Sequence, residues 1–234
     1  NHYSKLVLYI YYINYYILLL YMCISAKVSM GAFILCLTTC AYLYKRNNIN
    51  DRWVAILFVY LGSMQLLEYM MWMDQECKGL NQFATNLGFY HNILQPVISI
   101  LVAYYYTNGK LPIYIYGLFI IYLVSSLPLI YKMKKKNQCS LPCKDSEIGL
   151  SWEYTNTQNQ VYVWGVFCLA LSLPLLMMKK DGYIYTGIII GTYILSHFIS
   201  KNRCSNTNVS APNGSWWCIL ASLVPLGAIV INSK

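Results

Sequence analysis

Charge is what this chain has least of. Asp and Glu number 8 and Lys and Arg 17 in 234 residues, so charged side chains make up 11% of the sequence. Soluble domains carry about 25%, and that class is excluded. Histidine occurs only 3 times, and no two histidines share a helix face in a zinc-binding pattern, so no metal is expected. The sequence has no phosphate-cradling glycine loop, no serine or cysteine triad pattern and no retinal-type lysine inside its last apolar run, so no cofactor is expected either. The net charge of +9 is spread over the whole length, which makes nucleic acid a poor partner.

What fills the space is apolar. Hydrophobic residues reach 58%, and they come in runs near the roughly 20 helical residues that cross a bilayer. Seven such runs are Cys23–Tyr44, Trp53–Met73, Phe83–Tyr106, Leu111–Tyr131, Val161–Met178, Tyr183–Ile199 and Trp216–Ile231. Runs so long and uniform satisfy their backbone internally as helices, whereas a barrel would show shorter alternating segments. The expectation is an all-α, polytopic transmembrane bundle of seven main spans, with the lipid bilayer as its first partner. Residues 22–234 form one domain, with a long loop at 132–160.

An eighth apolar run, Leu6–Tyr21, stands apart. Residues 1–21 hold seven Tyr and no Ala, Gly, Pro, Arg or acid, an alphabet that AT-rich DNA gives when read through. They are expected to be upstream sequence ahead of a start at Met22, with an extra helix or a cleaved signal segment as alternatives.

Threading the seven spans places six of the 9 cysteines, Cys23, Cys77, Cys139, Cys143, Cys204 and Cys218, at one end of the bundle and none at the other. Such asymmetry points to an oxidising compartment at the cysteine end. Loops 74–82, 132–160 and 201–215 are therefore expected to be lumenal or exterior. Cys139 or Cys143 is expected to pair with Cys77 or Cys204. Weak glycosylation sequons at Asn208 and Asn213 lie at the same end. The lysines of "KMKKK" oppose this orientation, because Lys and Arg usually mark the cytoplasmic side. The rival reading is a cytosolic zinc or anionic-lipid site around Cys139 and Cys143; it is weaker because no histidine lies in these loops.

Within the spans, Gln65, Glu68 and Trp72 share one helix face, and His91 and Gln95 share another. At about 1.5 Å per residue, Glu68 and His91 reach matching depths to within about a turn, and His197 approaches the same end. An intramembrane cluster of Gln65, Glu68, His91, Gln95 and His197 is thus expected. Its reading as helix glue through a Glu68–His91 hydrogen bond stands beside a proton- or ion-handling site, a ligand pocket and a metal site. Gly187 and Gly191 read as a close-approach helix face. Trp72, Trp164, Trp216 and Trp217 read as an interfacial belt at the cysteine end, and Trp53 as its counterpart at the other.

The segments "YLYKRN", "MQLLEYMMWMDQEC" followed by "LN", then "LQP" and "GSWWC" resemble a family of multipass membrane proteins of nucleocytoplasmic large DNA viruses, one with no assigned activity. The resemblance covers the chain from about Met22 onward and implies origin and topology, not mechanism. The expected function is a viral structural or interaction component of a host-derived or virion membrane, with other membrane or capsid proteins as partners. The alternatives are a channel or proton-coupled transporter using Glu68 and His91, and an intramembrane hydrolase. An enzyme is the less favoured class.

Overall fold

The computed structural model describes residues 25–133, 139–143, 146–152, 160–179, 181–201 and 213–231. It is an all-α membrane bundle with one small hairpin at its end. The helices are α1 Ala26–Arg46, α2 Ile49–Met73, α3 Leu80–Tyr106, α4 Ile113–Met133, α5 Gln160–Ser172, α6 Gly182–Lys201, α7 Asn213–Ser222 and α8 Val224–Ile231. Strands β1 Leu141–Cys143 and β2 Ser146–Ser151 pair antiparallel, with Leu141 opposite Ser151 and Pro142 opposite Leu150. The expected start of the chain at Met22 and the nature of residues 1–21 lie outside the described residues.

Among the described residues five helices are long and apolar enough to cross a membrane: α1, α2, α3, α4 and the α7–α8 pair, Gly214–Ile231. The run expected as the fifth span is shorter, because Pro174 ends α5 in a 3-10 turn over Leu173–Met177. Proline cannot donate to the helical ladder, so carbonyls around it need other donors. Ser99 Oγ donates to Leu171 O at 2.7 Å and Thr186 Oγ1 to Ser172 O at 3.1 Å, which closes that gap from α3 and α6. The last span is broken at Leu223, just ahead of Pro225.

The turn from α1 to α2 is written in "RNNIND". Asn47 takes the left-handed conformation at φ 68° that ends α1. Asn48 then caps α2, its side chain accepting from Asn50 N at 3.0 Å. At Gly62 the two helices touch so closely that a Cβ would overlap Cys36 Sγ. The result is a central α2, with α1, α3, α7 and α8 packed around it. At the far edge, α4 presents Ile113, Ile120, Val124 and Leu127 outward, each at least 60% exposed, which suits a lipid-facing surface.

At the end of α2 opposite the cysteines, Arg46 forks onto Asp51, with Nη2 2.7 Å from Oδ1. The same guanidinium donates to Ile229 O at 3.1 Å, so it also caps the end of α8. Asp51 is fully buried. A carboxylate placed so deep needs this two-pronged partner.

Two sequence expectations are corrected by the packing. Trp53, Trp216 and Trp217 do not form an interfacial belt; all three are buried in the protein core. Trp53 stacks on Tyr106 with centroids 5.4 Å apart, and Trp217 meets Phe167 edge-on at 5.6 Å. Trp72 and Trp164 are only partly buried. Gly187 and Gly191 do not bring helices together within the chain either: a Cβ at either position would meet nothing within 4 Å.

Candidate functional site

Glu68 is completely buried, and so is Gln65 one turn before it. The pair share one side of α2 because residues three apart nearly align on a helix. Gln65 Nε2 donates to Glu68 Oε2 at 2.7 Å. That leaves Glu68 Oε1 and Gln65 Oε1 with no donor. Across the interface stands α7. Its Ser215 approaches the Glu68 carboxyl, and Cys218 lies about one turn further along the same helix. The Ser215 hydroxyl nevertheless spends its hydrogen bonds elsewhere: it accepts from Leu150 N and donates to Leu150 O, both at 3.3 Å.

Leu150 belongs to the hairpin, which lies over this end of the bundle. Three ties hold it there. Cys77 and Cys139 form a disulfide with Cα atoms 6.2 Å apart. Ser140 is gripped by Asn81, whose Oδ1 accepts from Ser140 N at 2.9 Å and whose Nδ2 donates to Ser140 O at 2.9 Å. Thr85 Oγ1 adds a bond to Ser140 Oγ at 3.0 Å. Finally, the buried Trp152 ring rests on Gly214, where a Cβ would collide with it. Glycine is required at that contact because only a bare backbone admits the indole.

The loop that carries Cys77 is itself braced. Asp74 ends α2 and accepts from Asn81 N at 3.0 Å and Lys78 N at 2.9 Å. Those backbone donors hold its carboxyl below the ordinary carboxylate range.

His91 is elsewhere. Its Nε2 lies 2.8 Å from Ser63 Oγ and 2.9 Å from Tyr60 O, and its ring stacks on Tyr60 with centroids 4.2 Å apart. Gln95 Nε2 stands 3.4 Å from His91 Nδ1 and donates to Asn92 Oδ1 at 2.9 Å. No hydrogen bond or ion pair joins Glu68 to His91, so the expected shared proton has no geometric basis. The cause is angular. Helical residues advance about 100° each, which puts Tyr60 and Ser63 about 80–140° around α2 from Glu68. One side of α2 faces α3 while Glu68 faces α7. His197 is exposed on α6, beside Phe198. The five residues expected as one cluster therefore fall at three places: Gln65 with Glu68, His91 with Gln95, and His197.

Among the described residues no three His, Cys, Asp or Glu side chains are grouped to hold a metal ion. Cys204 and Asn208, and the side chains of Cys143 and Asn213, lie outside the described residues. Sequence reasoning missed Ser215, the Asn81–Thr85–Ser140 clasp and the Arg46–Asp51 fork. Asn81 and Thr85 did carry a signal, as two polar residues at i, i+4 opening an apolar run.

Comparison with protein-family models, with curated proteins and with solved structures finds nothing that matches this chain.

Proposed function

We propose that the chain is a structural or interaction component of a membrane, closed to solutes, with a stapled cap at the cysteine end. One observation carries this reading. The polar groups inside the spans hold separate local partners, His91 with Ser63 between α3 and α2 and Glu68 with Gln65 within α2, rather than lining one path. A pair that joins two helices, as His91 and Ser63 do, acts as helix glue in lipid. The Cys77–Cys139 disulfide supports a lumenal or exterior position for the cap, since disulfides persist in oxidising compartments. The resemblance to a membrane family of large DNA viruses adds a setting, a virion or host-derived membrane, with capsid or other membrane proteins as the partners to seek.

The transporter alternative needs Glu68 and His91 to exchange a proton, and they do not meet. The hydrolase alternative needs histidines and an acid to converge, and Glu68, His91 and His197 lie apart. The test is flux. Purified protein reconstituted in liposomes should pass protons and small ions no faster than protein-free vesicles. A pH-dependent flux that disappears in Glu68→Gln would overturn the proposal.

A further inference from the structure

Two arginines stand at the end of the bundle away from the hairpin, and the protein uses only one of them. Arg46 forks onto Asp51 and caps α8 at Ile229 O. Arg52, one turn into α2, is partly buried, yet its Nε has no acceptor and neither ion pair among the described residues includes it. Its guanidinium lies over the Tyr44 ring of α1, 5.6 Å from the centroid. An aromatic face orients a guanidinium and leaves its positive charge in place. Lys45, exposed in the last turn of α1, adds a second charge that no ion pair among the described residues takes up.

Tyrosines mark the depth of these cations in the membrane. Tyr42, Tyr44, Tyr105 and Tyr114 are all exposed at the same end, and tyrosines collect at the level of lipid headgroups. Below Arg52, α2 turns an apolar strip outward. Ile56 and Val59 are exposed, and at about 100° per residue both lie within about 40° of Arg52 around the helix. One face of α2 thus offers a cation at headgroup depth and a hydrocarbon surface one and two turns deeper.

Water hydrates such a cation without neutralising it, and a soluble anion would leave the strip unused. A phospholipid uses both. Arg and Lys match phosphate oxygens in charge and geometry, and an acyl chain covers Ile56 and Val59. A zwitterionic lipid brings its own cation to two positive side chains; a lipid of net negative charge does not.

We infer that Arg52, with Lys45 and the Tyr44 ring, holds the phosphate of an anionic phospholipid whose acyl chain runs down Ile56 and Val59 on the outer face of α2. This goes beyond the structural reading above. With the cap lumenal or exterior, the site meets the cytoplasmic leaflet, where anionic lipids collect.

Native mass spectrometry of the full chain in detergent, titrated with phosphatidylserine or with phosphatidylcholine of the same acyl chains, tests this. One phosphatidylserine should bind about tenfold more tightly than phosphatidylcholine, and inorganic phosphate should not displace it. Arg52→Gln should remove that preference. Lys179→Gln, which takes an exposed charge from the same end beyond the 3-10 turn, should leave it unchanged. Equal affinity for the two lipids, a preference that survives Arg52→Gln, or an equal loss in Lys179→Gln overturns the inference. Displacement by inorganic phosphate overturns it too, by making the site one for a soluble anion. If Arg52→Gln fails to fold, the comparison of the two lipids on the unaltered chain decides alone.

Discussion

His91 Nε2 lies 2.8 Å from the Ser63 hydroxyl, and that contact, not one with Glu68, fixes α3 against α2. A double-mutant cycle reads the difference directly. Coupling between His91→Ala and Ser63→Ala should be in the range of about 0.5–3 kcal/mol expected for contacting residues. Coupling between His91→Ala and Glu68→Gln should be under about 0.5 kcal/mol, as for independent sites. Thermal melts of the four proteins in each cycle provide the measurement.

Gly214 should tolerate no side chain. Gly214→Ala puts a methyl into the Trp152 ring, and overpacking of this kind costs about 1–3 kcal/mol. The strain should be relieved by Trp152→Leu in the same chain. Tm of the double variant should recover relative to Gly214→Ala alone.

The Cys77–Cys139 disulfide closes a separation of 62 residues. In the chain-entropy model a loop of that length contributes about 4 kcal/mol. The measured value should fall below this ceiling, because helices persist in a membrane-inserted unfolded state and already restrict the chain. Cys77→Ser with Cys139→Ser should lower Tm, and a reductant should lower the unaltered protein to the same value. A reductant with no effect would show that the pair is not bonded in the membrane.

Removing Arg46 takes the charged partner from the buried Asp51 carboxylate. Arg46→Ala should destabilise by about 3–5 kcal/mol, toward the lower end because the guanidinium is partly exposed. Arg46→Lys should recover little, since an ammonium cannot bond both carboxylate oxygens in the same fork. Detergent melts, together with protease release of the C-terminal helix, report the loss.

Asp74 gives a pH dependence whose sign is fixed. Its carboxyl is held below the ordinary value by backbone donors, chiefly those of Asn81 and Lys78. The stabilisation is therefore complete above the ordinary carboxylate pKa and lost as pH falls through the lowered one. Stability of the unaltered chain should drop on acidification below about pH 4. Asp74→Asn should be less stable at neutral pH and flatter across that range.

The spans were legible because lipid imposes their length and composition, and α1 to α4 fall close to the apolar runs from Cys23 to Tyr131. The Asn47–Asn48 turn was equally local. The break at Leu223 and the 3-10 turn at Pro174 were harder, since prolines within membrane helices are often absorbed without ending them. Glu68 was found by its cost in lipid and Gln65 by its spacing. Their partner helix was not, because depth along an axis does not say which way a side chain faces. The hairpin over 141–151 was invisible: its strands are short, and "LPC" and "SEIGLS" show no clear alternation. Its anchors on Asn81, Thr85 and Ser215 come from distant segments and exist only in the folded chain.

The central claim is that the polar side chains within the spans hold separate local partners and do not line a water-filled path. Accessibility of substituted cysteines measures it most directly. Gln65→Cys and Ser63→Cys, each placed in a chain in which every cysteine except Cys77 and Cys139 is replaced (Cys23, Cys36, Cys40, Cys143, Cys168, Cys204 and Cys218), are exposed to a membrane-impermeant thiol reagent from either side of sealed vesicles. The account predicts no labelling of either position while the Cys77–Cys139 disulfide is intact. Rapid labelling of Gln65→Cys from one side and Ser63→Cys from the other would reveal a water-filled path and contradict it.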